Sequence, residues 1–231
     1  MPRIVDLTVT LEDFMPTHKN IQRPVIVPHL QHEDSKKLNL GTPEDPLTFQ
    51  TCYMGMIEHM GTHVDAFFHT NPDGAPIDDM PIEMFTGKAV VLDLRHIPDL
   101  GDIHVDDMES AERSAGIKID GHITLLCTGL HRRHYPDASI SLTNPGVTAA
   151  ATHWLADRGS VLHGVEGPST DRPNDPTFPN HRVCRDRGLA HYEWLCNLEE
   201  LIGHGEFHFQ GLPLKIKGGT GSPVRALATI D

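Results

Sequence analysis

The sequence predicts a mixed α/β fold, and three observations support this prediction. Segments rich in apolar and β-branched residues recur along the chain, helical patterns fall between some of them, and no linker-like break interrupts the 231 residues. The predicted strands, in chain order, are Ile4–Val9, Cys52–Ile57, Ala89–Leu94, Ile123–Cys127, Val161–Val165 and Phe207–Lys215. Because a chain of this length suits one large domain, we expect a single domain over residues 1–231.

The clearest helical pattern follows Asn144 and Pro145, a capping residue and a proline at the first helical position. Apolar residues then recur at helical spacing and form one stripe, which consists of Val147, Ala150, Ala151, Trp154 and Leu155. We expect Gly159 to close this helix. A second helix is predicted over Val105–Ala115, ending at Gly116.

Two stretches rich in proline and glycine predict long loops. The first, Pro16–Pro46, contains little periodicity and predicts a surface arm or lid. The second is Pro168–Asn180. Long ordered loops often carry function, and the alternative interpretation of both segments is disorder.

Charge and hydropathy exclude several classes of partner. The chain has 19 Lys and Arg against 32 Asp and Glu, a formal net charge of −13, which argues against binding nucleic acid or anionic membrane surfaces. No apolar run approaches the roughly 18 residues that a membrane span needs, and the first residues lack the apolar stretch of a signal peptide. We therefore expect a cytoplasmic protein without a nucleic-acid or membrane partner. The cysteines include no C-x-x-C pair, so neither a disulfide framework nor a cysteine zinc ribbon is expected.

The most informative segment reads H-M-G-T-H-V-D-A-F-F-H over residues 59–69. On an extended segment the side chains of His59, His63 and Asp65 would leave the same face. Gly61, in the same row, would leave room for an ion between the imidazoles. Imidazole and carboxylate are ligands for Zn, Mn or Fe(II), and three such ligands leave positions open for water. The alternative is a polar strand end whose histidines only form hydrogen bonds.

His69 extends the same row by four residues. It would serve either as a fourth ligand or as a base that stays off the metal, and spacing alone does not separate these roles. Water activated by a metal needs a group that takes its proton and later protonates a leaving nitrogen, which suits histidine. Phe67 and Phe68 are predicted to present a planar apolar wall to an aromatic or ring substrate.

This motif, H-x-G-T-H-x-D-x-x-x-H, resembles the signature of the cyclase or kynurenine-formamidase-like family of metal-dependent hydrolases, which includes arylformamidase and isatin hydrolase. Asp6-Leu7-Thr8 is similar to the family's opening strand, Thr128-Gly129 to the end of its central strand, and residues 212–225 to its C-terminal pattern. The resemblance implies a swivelling β/β/α cyclase-like fold with a central mixed, barrel-like sheet flanked by helices. It also implies a homodimer or homotetramer whose subunits help to close the active site.

The resemblance implies roles for individual residues. His59, His63 and Asp65 would bind a first metal, and His181 and Glu193 match the later metal-binding histidine and glutamate. In the arylformamidase branch the two carboxylates would bridge two ions. The cofactor implied is Zn²⁺ or Mn²⁺, one or two per chain, with His69 as the acid/base. Without the family resemblance, His181 would equally well be a helix-end or loop residue. Glu193 would equally well be part of a solvated helix face.

Departures from the family pattern concern the substrate rather than the metal. Phe67 stands where arylformamidases commonly carry proline, residues 15–18 lack a tryptophan, and Glu166 stands where many members have aspartate. These differences disfavour N-formylkynurenine as the substrate. We expect residues 16–46 to determine substrate choice.

The predicted activity is hydrolysis of a C–N bond in a small amide, formamide or cyclic amide. Three alternatives remain open. The same site would serve lactone hydrolysis, dehydration or cyclisation. The chain would otherwise be a non-catalytic metal-binding relative, or an Fe(II) oxygenase that uses His59, His63 and Asp65 as a facial triad.

Overall fold

The computed structural model describes residues 2–230. The strands are β1 (Arg3–Asp6), β2 (Val25–Leu30), β3 (Leu40–Gly41), β4 (Pro46–Leu47), β5 (Thr51–Gly55), β6 (His63–Asp65), β7 (Thr86–Asp93), β8 (Asp102–Ile103), β9 (Ile123–Cys127), β10 (Gly146–Val147), β11 (Leu162–Val165), β12 (Ala190–Glu193), β13 (Phe207–Gln210), β14 (Gly221–Pro223) and β15 (Leu227–Ile230). The helices are α1 (His32–Ser35), α2 (Phe67–Thr70), α3 (Val105–Ala115), α4 (Leu130–His134), α5 (Ile140–Thr143), α6 (Ala149–Asp157) and α7 (Pro179–Arg187). Short 3₁₀ turns cover Lys36–Leu38, Ile82–Phe85 and Leu198–Leu201.

Nine strands form one mixed sheet in the order β1-β15-β13-β7-β9-β11-β12-β6-β14. The central strands β7, β9, β11 and β12 run parallel, and the outer strands pair antiparallel. The sheet curls into a half-barrel with helices on its outside, as the sequence predicted. Because parallel strands are covered on both faces, their sequences are nearly continuous apolar runs, and all five residues of β9 are buried.

Successive residues of the central strands supply two separate cores. Leu125 packs in a cluster inside the curl with Val64 and Tyr192, whereas Leu126 packs on the opposite face. Met108 of α3 and Trp154 of α6 belong to this second cluster. The alternation follows from the two-residue period of a strand, and the neighbours of Val64 and Tyr192 in their strands face away from the first cluster.

The two predicted helices are present, but one begins later than predicted. α3 has the predicted bounds, and Gly116 ends it with a φ of 67°. α6 is capped by Thr148, whose hydroxyl accepts from the backbone N–H of Ala151, so the prediction that Asn144 caps this helix is wrong. Asn144 is buried, and its amide donates to backbone carbonyls of the adjacent loop, including that of Asp171 at 2.7 Å.

The proline-rich segment at residues 16–46 is more ordered than predicted. It contains β2, α1 and β3, and β2 pairs antiparallel with β5 to form a two-stranded arm apart from the main sheet. The predicted second strand is therefore part of this arm. The other predicted loop, residues 168–180, has no strand or helix before α7 begins at Pro179. Within residues 2–230, no helix is long and apolar enough to cross a membrane.

Candidate metal centre

The strand β6 brings the first predicted ligands into the sheet. It lies between β12 and β14, and His63 stands opposite Glu193 in the register of β12. Because side chains alternate along a strand, His63 and Asp65 share one face while Val64 packs into the core on the other. All three residues of β6 are buried.

The chain that precedes β6 turns sharply, which corrects the expectation of an extended segment. Gly61 has a φ of 60°, and a Cβ at this position would lie 2.6 Å from Leu11 Cδ2. The glycine therefore allows a turn and a close packing contact rather than leaving room for an ion. The turn directs His59 back to the site, where its Nδ1 lies 2.7 Å from Asp65 Oδ1 and its Nε2 lies 2.8 Å from Thr220 Oγ1.

His69 approaches the cluster from the short helix α2. Its Nε2 lies 3.7 Å from Asp65 Oδ2, and its side chain is 36 % exposed. Burial lowers the pKa of His69, and the nearby carboxylate of Asp65 only partly offsets this effect. The imidazole is therefore neutral at neutral pH and able to accept a proton.

His181 reaches the cluster from the first turn of α7. Its Nδ1 lies 2.5 Å from Asp171 Oδ2, while its Nε2 lies 3.7 Å from Asp65 Oδ2 and 3.9 Å from Glu193 Oε1. Donation of the Nδ1 proton to Asp171 leaves the Nε2 lone pair facing the two carboxylates, which is the common arrangement of metal-binding histidines. No role was predicted for Asp171 from the sequence.

His191 is a further residue of the cluster that the sequence analysis missed. Its Nε2 lies 3.1 Å from Asp65 Oδ2 and 3.5 Å from Glu193 Oε1. It precedes Glu193 by two positions in β12 and therefore shares its face. The H-x-E pattern places both side chains on one face if the segment is a strand. Nothing in the local sequence showed that it is a strand rather than a helix.

Histidines surround two buried carboxylates, Asp65 and Glu193, and Glu193 Oε1 also accepts a hydrogen bond from the backbone N–H of Thr170 at 3.1 Å. Within residues 2–230, the ion-pair partners of Asp65 are His59, His63, His69, His181 and His191, and three of these also face Glu193. Burial alone would raise the pKa values of Asp65 and Glu193, but the neighbouring histidines hold them below their usual range. Among the residues that the structure describes, His63 Nε2 and both ring nitrogens of His191 are buried without a hydrogen-bond partner. This set of nitrogen and carboxylate ligands fits a divalent cation.

A cavity of about 220 Å³ opens onto the cluster. His69 and Glu193 line it together with His18, Ile21 and Phe178. His18 and Ile21 belong to residues 16–46, the segment predicted to lie over the site. Phe67 packs against the core and Phe68 is partly exposed, and neither lines the cavity, so their predicted contact with substrate stays a prediction.

Comparison with known proteins gives consistent results. The sequence model of the Cyclase family matches residues 5–172. A kynurenine formamidase of Salinibacter ruber is 30% identical over 205 residues, which span 85% of this chain and 82% of that protein. A kynurenine formamidase of Paracidovorax citrulli is 32% identical over 181 residues, which span 75% of this chain and 77% of that protein.

Solved structures agree with the sequence relatives. Isatin hydrolase A from Ralstonia solanacearum superposes with a TM-score of 0.83 at 28% identity, covering 100% of this chain and 92% of that chain. An isatin hydrolase bound to the product analogue thioisatinate also gives 0.83, at 25% identity, covering 99% and 92% of the two chains. The resemblance predicted from the histidine motif is confirmed, and the chain belongs to the Cyclase family.

Proposed function

We propose that this protein is a metal-dependent hydrolase that cleaves a C–N bond in a small amide, formamide or cyclic amide. The observation that carries the proposal is the pair of buried carboxylates, Asp65 and Glu193, set among five histidines at the base of a cavity. The similarity to proteins named kynurenine formamidase and isatin hydrolase supports this class of reaction.

We assign two metal positions, each of which would hold Zn²⁺ or Mn²⁺. His59, His63 and Asp65 hold the position on the cavity side, and His181 and Glu193 hold the inner one, with the two carboxylates shared between them. A divalent ion in such a site polarises a carbonyl oxygen and lowers the pKa of bound water. Asp171 orients His181 through the 2.5 Å contact described above.

His69 serves as the general acid and base. Its position at the cavity wall and its lowered pKa support this role, because a neutral imidazole takes a proton from water and then returns it to the leaving nitrogen. Its partial exposure leaves its ring accessible to a substrate in the cavity.

A compact planar substrate is favoured by the shape of the cavity. Ile21 and Phe178 give it apolar walls, and His18 adds a polar group at the edge. A second cavity of about 430 Å³ shares His18 and Phe178, so a longer substituent has space beyond the first ring. An aryl formamide or a lactam fused to a ring fits this combination.

Metal analysis tests the proposal first. We expect wild-type protein, purified without chelator or affinity metal, to contain one or two equivalents of Zn or Mn by elemental analysis. His63→Ala should lose this metal, whereas His204→Ala, which changes an exposed histidine outside the cluster, should retain it. Absence of metal from wild type even after reloading would contradict a hydrolase and favour a binding protein.

A substrate panel tests the reaction. Metal-loaded enzyme should hydrolyse aryl formamides or ring-fused lactams faster than the matched esters and lactones. Preference for the lactones would replace the proposal with a lactone hydrolase on the same site. Oxygen uptake by iron-loaded protein would replace it with an oxygenase.

We also infer that the chain forms a homodimer or homotetramer through the arm of β2 and β5. This arm exposes Val27, Tyr53 and Met54, with Phe49 beside them. Light scattering should show an oligomer for wild type and smaller particles for a Tyr53→Ser, Met54→Ser variant. The pair Ile82→Ser, Leu142→Ser, at exposed apolar positions elsewhere, is the control.

A further inference from the structure

We propose that His191 is a fourth protein ligand of the inner metal position, so that the protein encloses this ion while the ion on the cavity side keeps a position open for substrate. The inference rests on the proposed function, because it assumes that the chain binds divalent metal. It adds a ligand to those assigned above and separates the two ions into a structural one and a catalytic one.

The distances between the ligand atoms support a four-residue metal site. Ligand atoms of Asp65, His181, His191 and Glu193 all lie within 4.8 Å of one another. His191 Nε2 lies 3.1 and 3.5 Å from the two carboxylates, and His181 Nε2 lies 3.7 and 3.9 Å from the same oxygens. A tetrahedral site with bonds of about 2.0–2.1 Å places its ligand atoms about 3.3 Å apart. The four printed separations, 3.1–3.9 Å, are therefore close to those of a tetrahedral site.

The burial of the His191 ring also supports its role as a ligand. The residue is 3 % exposed, and both of its ring nitrogens are buried without a hydrogen-bond partner within residues 2–230. A buried imidazole in that state loses the hydrogen bonds it makes in water and gains none from protein, which is costly unless something else binds it. A metal ion at the Nε2 position satisfies one nitrogen. The side chain of Cys184 lies beside the ring, and its sulfur and ligand atoms of His163 and His191 lie within 4.8 Å of one another.

The two positions differ in the number of protein ligands. His59 and Asp65 of the outer set line the cavity, and so do Asp65, His181 and Glu193 of the inner set. His191 is not among the described residues that line the cavity, so it completes the inner set from behind the cavity wall and gives it four protein ligands, against three in the outer set. Structural metal sites are closed by four protein ligands, whereas catalytic sites leave a position for water or substrate. The inner ion is therefore expected to hold β6, β12 and α7 together, and the outer ion to face the substrate.

Chelator competition on the whole protein tests the inference. Wild type should contain two ions, of which one leaves readily and one resists removal. In His191→Gln, which keeps size and polarity but offers a poor ligand, the resistant ion should bind at least about tenfold more weakly, while the labile ion is unchanged. His163→Gln, which changes a buried histidine next to the same ring, should retain both ions. Circular dichroism shows whether each variant is folded, and His191→Asn replaces His191→Gln if the latter is not.

Cobalt substitution gives a readout that does not depend on activity. A closed four-ligand site should give the intense visible absorption of tetrahedral Co²⁺, and His191→Gln should lose it. Two ions retained equally by wild type and the His191 variants would overturn the inference and leave the proposed hydrolase standing. A near-ultraviolet band from a cobalt–sulfur bond, absent in Cys184→Ser, would also overturn it by placing the ion among His163, Cys184 and His191. Wild type that binds no metal at all would overturn both proposals.

Discussion

Both proposed metal positions depend on Asp65. Its Oδ1 lies 2.7 Å from His59 Nδ1 on the cavity side, and its Oδ2 lies 3.1 Å from His191 Nε2 on the inner side. Each oxygen therefore faces a different set of imidazoles. A carboxylate that contributes one oxygen to each proposed metal position would explain why a buried aspartate stands at the centre of five histidines.

The role of His69 is tested by truncation. We expect His69→Ala to lower kcat by about 10²–10⁴-fold, because proton transfer from a positioned side chain typically contributes that factor. Its metal content should stay at the wild-type level, since the remaining ligands are untouched. Kinetics and elemental analysis on the same preparation check both parts, with His204→Ala as the control. Loss of metal from His69→Ala would instead make the residue a ligand.

Asp171 is expected to act on the proposed metal site through His181. In Asp171→Asn the charged acceptor at 2.5 Å from His181 Nδ1 is replaced by a neutral amide that no longer selects one tautomer. Metal affinity should fall about 10–100-fold, measured by competition with a chelator. Asp186→Asn changes an exposed carboxylate on the same helix and should have no effect. Equal affinities for wild type and Asp171→Asn would show that the tautomer does not depend on this contact.

Among single residues, the sequence predicted those that carry the histidine motif and missed those that only the fold brings near. His59, His63 and Asp65 converge as expected, although through a turn rather than an extended strand. His191 and Asp171 were missed because their importance depends on which strand and which helix end pack beside β6. Neither fact can be read from residues next to them in the chain.

At the level of elements, periodicity located the helices, while tertiary contacts determined where they begin. Ala151, Trp154 and Leu155 of the predicted stripe are buried in α6, but Ala150 is exposed, and Gly146 and Val147 pair with β8 before the helix starts. Thr148 follows these two residues, donates to the carbonyl of Ile103 in β8 and becomes the cap. Similarly, residues 16–46 lack a strong strand pattern, and β2 forms because β5 offers a partner.

A single methyl group added at Gly61 should disturb the turn before β6. In Gly61→Ala the new Cβ meets Leu11 Cδ2 and the residue must keep a φ of 60°, so we expect a loss of about 1–3 kcal/mol in the free energy of unfolding. Gly116→Ala is the matched control, because its φ is 67° but nothing lies within 4 Å of the added atom. Denaturant titration of both variants separates the backbone cost from the packing cost.

Leu11→Ala in the Gly61→Ala background completes this test. Leu11 also packs against a core cluster, so the reference is the single variant Leu11→Ala. In that background the added methyl group no longer meets Leu11 Cδ2, so Gly61→Ala should cost no more than Gly116→Ala. An equal cost for Gly61→Ala and Gly116→Ala would show that Leu11 moves freely and that the turn does not depend on this contact.

At the level of the whole molecule, the class of fold followed from the sequence and the strand order did not. Apolar runs indicated buried central strands, and β9 has the predicted bounds. The insertion of β6 between β12 and β14 places residue 63 between residues 193 and 223, which lie far from it in the chain. Such pairing depends on which long-range contacts close the curled sheet. It is this pairing that assembles the candidate metal centre.

Glu166 ties the ends of two central strands together from inside the protein. Its Oε2 accepts hydrogen bonds from the backbone N–H groups of Thr128 at 2.6 Å and Gly129 at 2.5 Å, and from the Thr128 hydroxyl at 3.0 Å. Its Oε1 is buried without a hydrogen-bond partner within residues 2–230. Burial raises the pKa of Glu166 to about 7, although the hydrogen bonds to Oε2 favour the charged form.

This raised pKa makes the stability of the whole protein depend on pH. Because the folded state holds a proton that the unfolded chain releases near pH 4.5, the contribution of Glu166 to stability is complete below that pH, declines as the pH rises to about 7, and is level above. Glu166→Gln removes this titration. Between pH 5 and pH 8, the free energy of unfolding of the variant should therefore rise relative to wild type by about 2–3 kcal/mol. Denaturant titrations of metal-free protein across this range measure the difference, with Glu83→Gln at an exposed position as the control. Parallel pH profiles for wild type and Glu166→Gln would show that the buried carboxylate stays ionised throughout, held by the donors at the ends of β9 and α4.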